Sequence, residues 1–361
     1  MVKNVCFFVE SLVPNGLEYY LYRIVKYGNL RFNNIFIICK SGKAGEISTM
    51  FDDFDNVKII PKHIGYFSIK DYNWLYMFLK KNKINVICDF SGNFAGLVVL
   101  TAYIAGVMQR VVQYRGSSNH FKETIIKKIY NYCVNKLVKK FSTNILSNSY
   151  AALDYFIGRK YLDKYNCSVI YNAYDPTPFI TEHTNLREEL SIPNDAFVVG
   201  HTGRVCYAKN HEVILKVAKR LCSEHQDIYF ILCGNSVFDS YKSEITGFEN
   251  RILLFNNRND IPKILKTLDC FYFPSLTEGQ PNSLIEAMFV NLPIVASDIG
   301  PIRETVPECI DQFLINARDI EGACRLIIKI KETNVRENVA SWAISRYGSS
   351  KLYEEFINII E

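Results

Sequence analysis

No two of the 11 cysteines in this 361-residue chain are spaced Cys-x-x-Cys, so neither a zinc ribbon nor a thioredoxin-type redox pair is legible. The count is odd and the residues are scattered, many of them in apolar strand-like runs. That pattern describes buried free thiols in a reducing, cytoplasmic compartment. A signal peptide is not expected either: the first apolar run is short and Glu10 interrupts it. The stretch from Phe90 to Gln109 carries no charge, but its apolar core, Phe94 to Met108, falls short of the roughly 20 residues of a membrane span. With Gly96 and Gly106 inside it and strand-like runs on both sides, it reads as a buried helix. There is no large excess of either charge. A net +5 is below the clustered basic footprint of nucleic-acid binders, so no nucleic-acid partner is expected. Tryptophan is scarce, at 2 residues, and no low-complexity linker or short-period repeat is present.

What is present is 48% hydrophobic and 22% charged residues, the balance of a globular chain long enough for two domains. Short apolar runs alternate with segments of helical spacing. The runs Asn4 to Val9, Asn34 to Cys39, Val57 to Pro61, Val86 to Phe90, Arg110 to Tyr114, Asn144 to Ser147 and Ser168 to Tyr171 make a first series. A second comprises Phe197 to His201, Ile228 to Cys233, Ile252 to Phe255, Cys270 to Phe273 and Pro293 to Ser297. Strands that are apolar throughout, separated by amphipathic helices, predict parallel sheets covered on both faces. Two series predict an α/β protein of two Rossmann-like, doubly wound domains, 1–176 and 177–345. A terminal helix over 346–361 is expected to pack back on the first. Ligands of such sheets bind beyond the carboxyl ends of the strands, which points to a cleft between the domains.

Two loops in the second series carry chemistry. Glu278-Gly279-Gln280-Pro281-Asn282-Ser283-Leu284-Ile285-Glu286 follows an apolar strand and opens a helix at Asn282 or Ser283. A helix start presents unpaired amides and a partial positive charge, which suits a phosphate. The two carboxylates can accept hydrogen bonds from hydroxyls. The purely structural reading makes Asn282 an N-cap and Glu286 a charge favoured by the dipole. Gly203-Arg204-Val205-Cys206-Tyr207-Ala208-Lys209 follows the strand ending at His201. An arginine fork and a lysine point charge there can clamp a diphosphate, the structural alternative being a solvated loop.

With these residues in view, the second half resembles the retaining GT-B glycosyltransferases of family 4, whose marks are Glu-x7-Glu and Gly-Arg-x4-Lys. Glu278 with Glu286, and Gly203-Arg204 with Lys209, match both spacings, and the resemblance covers about Val198 to Val306. It implies a nucleotide-sugar donor, most often a UDP-sugar. It also implies transfer of a hexose or N-acetylhexosamine with retention, and an acceptor-binding first domain beside a donor-binding second one. By that resemblance Arg204 and Lys209 hold the donor diphosphate, Glu278 orients the sugar and Glu286 binds the ribose. The backbone of Asn282, Ser283 and Leu284 receives hydroxyls and phosphate, and Gly279 lies in the same donor-binding stretch. Asn256, Asn257 and Arg258 match the segment that reads the base, with Asn256 where a glycine is usual. Asn15-Gly16-Leu17-Glu18 resembles a Gly-Gly-x-Glu turn and would bring Gly16 to the phosphate. The histidine often found after the fifth strand is absent. Arg115 or His120 would face the acceptor instead.

No carboxylate nucleophile is assignable. Asp52, Asp53 and Asp55 read as an acidic surface stretch, so no metal and no cofactor are expected. Lys122 to Phe141 is a basic helix with Ile125, Ile126, Ile129, Tyr132, Cys133 and Leu137 on one side. It could lie on an anionic membrane surface and bring in a lipid-linked glycan acceptor for surface polysaccharide synthesis, or simply pack within its domain. Three rival readings stand: a nucleotide-sugar 2-epimerase of the same plan, a non-catalytic nucleotide-sugar binder, and an NAD-dependent oxidoreductase. The missing Gly-x-Gly-x-x-Gly after the first strand counts against the last.

Overall fold

A computed structural model describes residues 2–115, 125–334, 337–348 and 350–361. Its contacts divide the chain into two units, Met1–Ala173 with Ser350–Glu361, and Tyr174–Ser349.

The first unit is built on seven parallel strands: β1 (Lys3–Val9), β2 (Phe32–Cys39), β3 (Val57–Pro61), β4 (Val86–Asp89), β5 (Gln109–Tyr114), β6 (Asn144–Ser147) and β7 (Cys167–Val169). Their order in the sheet is β3-β2-β1-β4-β5-β6-β7. Residues 5–9 of β1 are all buried, because helices cover both faces of a central parallel strand. From β1 the chain winds outward to β3, then returns to β4 on the other side. The strand ends therefore diverge between β1 and β4, the switch point of a doubly wound sheet.

Helices α1 (Gly16–Gly28), α2 (Ile69–Lys81), α3 (Gly96–Ile104) and α4 (Ile125–Phe141) belong to this unit. Ser68 caps α2, its hydroxyl accepting from the Asp71 amide at 3.3 Å, and Leu75 and Leu79, one turn apart, bury its inner face. The uncharged stretch becomes the nine-residue α3, with Val98, Val99 and Ala102 in the core. Among the described residues no helix is long and apolar enough to cross a membrane.

The face of α4 differs from the sequence expectation. Val134 and Val138 are the buried apolar positions, set against α3 where Gly96 leaves room: a Cβ there would lie 2.5 Å from the Val134 carbonyl oxygen. Ile129 and Tyr132 are 60% and 62% exposed, and Cys133 is exposed beside Lys128, Lys136 and Lys140. The side chains of Ile125 and Ile126 lie outside the described residues.

The chain ends in two helices, Ala340–Tyr347 and Ser350–Ile360. The latter joins the first unit. Phe356 packs edge-on to Tyr20, Ile357 fits over Gly28, and Glu354 takes both guanidinium nitrogens of Arg31 at 2.8 and 2.6 Å.

The second unit holds six parallel strands: β8 (Phe197–Thr202), β9 (Ile228–Cys233), β10 (Ile252–Phe255), β11 (Cys270–Phe273), β12 (Ile294–Ser297) and β13 (Leu314–Ile315). Their order is β10-β9-β8-β11-β12-β13. The switch point lies between β8 and β11.

Candidate active site

The two loops singled out in the sequence leave the carboxyl ends of β8 and β11, which are neighbours in the sheet. They flank the crevice of the second unit's own switch point. Gly203 to Lys209 follows β8. Pro274 to Pro281 follows β11 and leads into the helix Asn282–Phe289. The loops are stitched together, since the Leu276 amide donates to the Ala208 carbonyl at 2.7 Å. Across them Lys209 Nζ donates to Glu278 Oε1 at 2.7 Å, with the two side chains 16% and 11% exposed. The same ammonium sits 4.6 Å from the Phe273 ring centroid. A cation held between a carboxylate and an aromatic face, at a strand-end crevice, is placed to meet an anionic ligand. Arg204 rides on the same loop and is exposed.

Residues 182–345 match the family described as glycosyl transferases group 1. That match lies within the second unit and supports a GT-B glycosyltransferase of group 1. The chain is 28% identical over 317 residues to the UDP-Gal:alpha-D-GlcNAc-diphosphoundecaprenol alpha-1,3-galactosyltransferase of Escherichia coli, covering 84% of this chain and 81% of that one. It is 29% identical over 275 residues to the capsular polysaccharide biosynthesis glycosyltransferase CapH of Staphylococcus aureus, covering 73% of each. Among solved structures, Anabaena Alr3699/HepE in complex with UDP matches with a TM-score of 0.82 at 20% identity, over 98% of each chain. The fold is that of the GT-B glycosyltransferases, as the sequence resemblance implied.

Other expected donor residues of this glycosyltransferase have jobs the sequence did not disclose. Pro281, not Asn282, occupies the N-cap of the helix Asn282–Phe289, and no side chain caps it. Asn282 is therefore the first helical residue. Leu284 is fully buried and its amide donates to the Pro281 carbonyl at 3.2 Å, so that amide is already engaged. Asn282, Ser283, Glu286 and Gly279 are half-buried around the helix start. Gly203 is required by packing, because a Cβ there would lie 2.9 Å from His201 Nε2 and 3.4 Å from the Lys209 stem. Asn256 uses its amide locally, accepting from the Phe238 amide at 3.1 Å and donating to Asp239 at 3.0 Å. Arg258 is forked onto Asp260 at 2.7 and 2.6 Å, while Asn257 is exposed. All three follow β10, two strands from the switch point.

In the first unit Gly16 is the first residue of α1, after an extended Asn15 (φ −142°). Arg115 donates to Asn172 Oδ1 at 2.6 Å and lies 4.3 Å over the Tyr20 ring, tying the end of β5 to α1. His120 lies outside the described residues.

Two histidines bracket the Gly203–Lys209 loop and went unread in the sequence. His201 ends up 1% exposed, its Nδ1 3.0 Å from the Tyr272 carbonyl, which can only accept. His211 is 2% exposed, edge-on to His201 at 5.2 Å and stacked on Tyr241 at 5.6 Å. The only signal was their placement around the motif, His-x-Gly-Arg-x4-Lys-x-His. Burial is the main force lowering the pKa of both rings. His211 and then Lys209 depress His201 further. His211 falls from 6.5 to about 4, with Lys209 pushing the same way and a bond to the Gly203 backbone opposing. Between those two values the unfolded chain binds a proton that the folded chain refuses, so stability is full above about pH 6.5 and falls below it. For His211 alone the loss at about pH 5 amounts to roughly 2 kcal/mol. Urea denaturation at about pH 7.5 and 5 checks this. The His211→Phe variant should show the shallower pH dependence, and an unchanged dependence would remove His211 as its source.

Proposed function

We propose that this glycosyltransferase moves a hexose or N-acetylhexosamine from a UDP-sugar to a lipid-linked glycan in surface polysaccharide synthesis, with retention and without a metal. The observation that carries the reading is the Lys209–Glu278 contact at 2.7 Å across the β8/β11 switch point. It joins the two motifs whose spacings match the family. Support for donor and acceptor class comes from the Escherichia coli relative, named for UDP-Gal and a diphosphoundecaprenol acceptor, and from the UDP complex of HepE.

In this reading Arg204 and Lys209 hold the diphosphate and stabilise its developing charge. Glu278 orients the sugar, Glu286 binds ribose, and the helix start at Asn282 and Ser283 supplies amides. The first unit binds the acceptor. The acceptor hydroxyl attacks the anomeric carbon on the face the diphosphate leaves. The bond from that carbon to the phosphate oxygen breaks, the new glycosidic bond forms, and the hydroxyl proton passes to the departing phosphate oxygen. The protein contributes position and field. The exposed Ile129 and Tyr132 among the α4 lysines support contact with an anionic leaflet.

The test incubates purified protein with UDP-, GDP- and ADP-sugars and a diphosphate-lipid acceptor bearing N-acetylglucosamine, with and without EDTA. The expected product carries an α-linkage from an α-linked UDP-sugar, at a rate EDTA does not change. Donor conversion with no acceptor present would make it an epimerase, an inverted linkage would refute retention, and rescue of EDTA-killed activity by manganese would refute metal independence. Flotation with phosphatidylglycerol vesicles but not phosphatidylcholine vesicles, at low salt, is expected; flotation with neither would refute the membrane contact.

A further inference from the structure

Asn210 follows Lys209 and adopts the left-handed conformation, φ 57° and ψ 41°. Asparagine and glycine tolerate that region where most residues are strained. The conformation turns the side chain back over the sheet. Its Nδ2 donates to the Pro274 carbonyl at 3.1 Å and to the Ala317 carbonyl at 2.9 Å. Pro274 directly follows β11 and Ala317 comes two residues after β13. One amide group thus fastens the β8 loop to the loops at the ends of two other strands, one of which carries Glu278. The Asn210 backbone meanwhile starts the helix His211–Glu224, its carbonyl accepting from the Val213 amide at 3.0 Å. Lys209 is therefore flanked by a residue held in three directions. The backbones of the two loops are also joined by the Leu276–Ala208 bond.

We propose that Asn210 is a positioning residue for the donor diphosphate: it sets the Lys209 ammonium at the switch point by locking its loop to the strand ends of β11 and β13. The inference rests on the reading of Lys209 as a diphosphate ligand. Asn210 touches no substrate and works through its neighbour. Glycine at this position keeps the left-handed backbone and removes both donors, so it isolates the latch from the turn. Aspartate keeps the local backbone preference but sets an acceptor-only carboxylate against two carbonyls.

The probe is a nucleoside diphosphate, with UDP, GDP and ADP run in parallel by calorimetry on the full chain. Wild type, Lys209→Ala, Asn210→Gly, Asn210→Asp and the Lys209→Ala/Asn210→Gly pair are compared. Asn210→Gly should weaken the tightest diphosphate about tenfold and Asn210→Asp by more, the scale of losing two hydrogen bonds. In the Lys209→Ala background the glycine substitution should change affinity by less than about twofold, because a residue that acts through Lys209 has nothing left to position. A general stabilising role would instead lower affinity by the same factor in both backgrounds, and that result overturns the proposal. Wild-type affinity in Asn210→Gly, with Lys209→Ala crippled, overturns the latch and leaves the site reading standing. Undiminished binding by Lys209→Ala, or no diphosphate binding by wild type, removes the site reading and the latch with it.

Discussion

Lys209→Ala protein should fold normally and lose about 3 kcal/mol of transition-state stabilisation, a fall of ~10²-fold in turnover. Two effects add. The substitution removes the cation that the diphosphate would meet. It also strips Glu278 of the ammonium 2.7 Å away, in a place where that carboxylate is only 11% exposed. An acid left without its cation there repels an incoming phosphate. The Phe273 ring, 4.6 Å from the ammonium, excludes water from one side of the pair and strengthens the field on the other. Folding should survive, because the loop is also tied by the Leu276–Ala208 backbone bond and by Asn210. Glu278→Gln separates the two effects. It keeps an acceptor for Lys209 and a partner for sugar hydroxyls but drops the negative charge, so donor KM should hold or fall while kcat drops. Steady-state kinetics alongside thermal melts would decide the matter. A folded Lys209→Ala enzyme within about threefold of wild-type turnover would end the assignment of Lys209.

The sheets were legible because their strands are buried on both faces. Ile228–Cys233 and Cys270–Phe273 were read to the residue. Each is bounded by turn residues and apolar enough to exclude a solvent-facing alternative. Leu314–Ile315 was not read: two residues carry no periodicity, and this strand exists only because β12 offers an edge. The packed face of α4 was not legible for a different reason. Its apolar residues cover most of the circumference, so spacing alone cannot say which arc packs; that is decided by Gly96 on α3, which lets the Val134 side approach.

The site was half legible. Motif spacing singled out Lys209 and Glu278, which the structure brings together at the ends of β8 and β11. It could not find Asn210, whose two side-chain hydrogen bonds depend on a positive φ and on carbonyls 64 and 107 residues away. Nor could it find His201, which in a strand run looks like one more polar interruption. It likewise could not foresee that Asn256 and Arg258 spend their side chains on Asp239 and Asp260.

The largest stability effect expected is in the first unit, at a group no motif suggested. Lys40, just past β2, reaches over the end of β1 to Asp89 at the end of β4, Nζ lying 3.2 Å from both carboxylate oxygens. The two side chains are 8% and 0% exposed. Asp89 also accepts from the Ser91 amide at 2.8 Å, and Lys40 donates to the Ser91 hydroxyl. Taking two charges out of water costs several kcal/mol each, so the pair as a whole contributes little net stability. Breaking it is another matter. Lys40→Ala leaves a fully buried carboxylate with only Ser91 for company and should destabilise the unit by about 3–5 kcal/mol. Lys40→Met with Asp89→Leu removes both charges and fills the space, so it should recover most of that loss. The double variant is what makes the result interpretable: recovery assigns the loss to an unpaired charge, whereas additive losses would assign it to packing at the β1/β4 switch point. Urea titration with a probe in the first unit reads both. A Lys40→Ala loss under about 1 kcal/mol would mean that water reaches Asp89 and that the pair is not buried in solution.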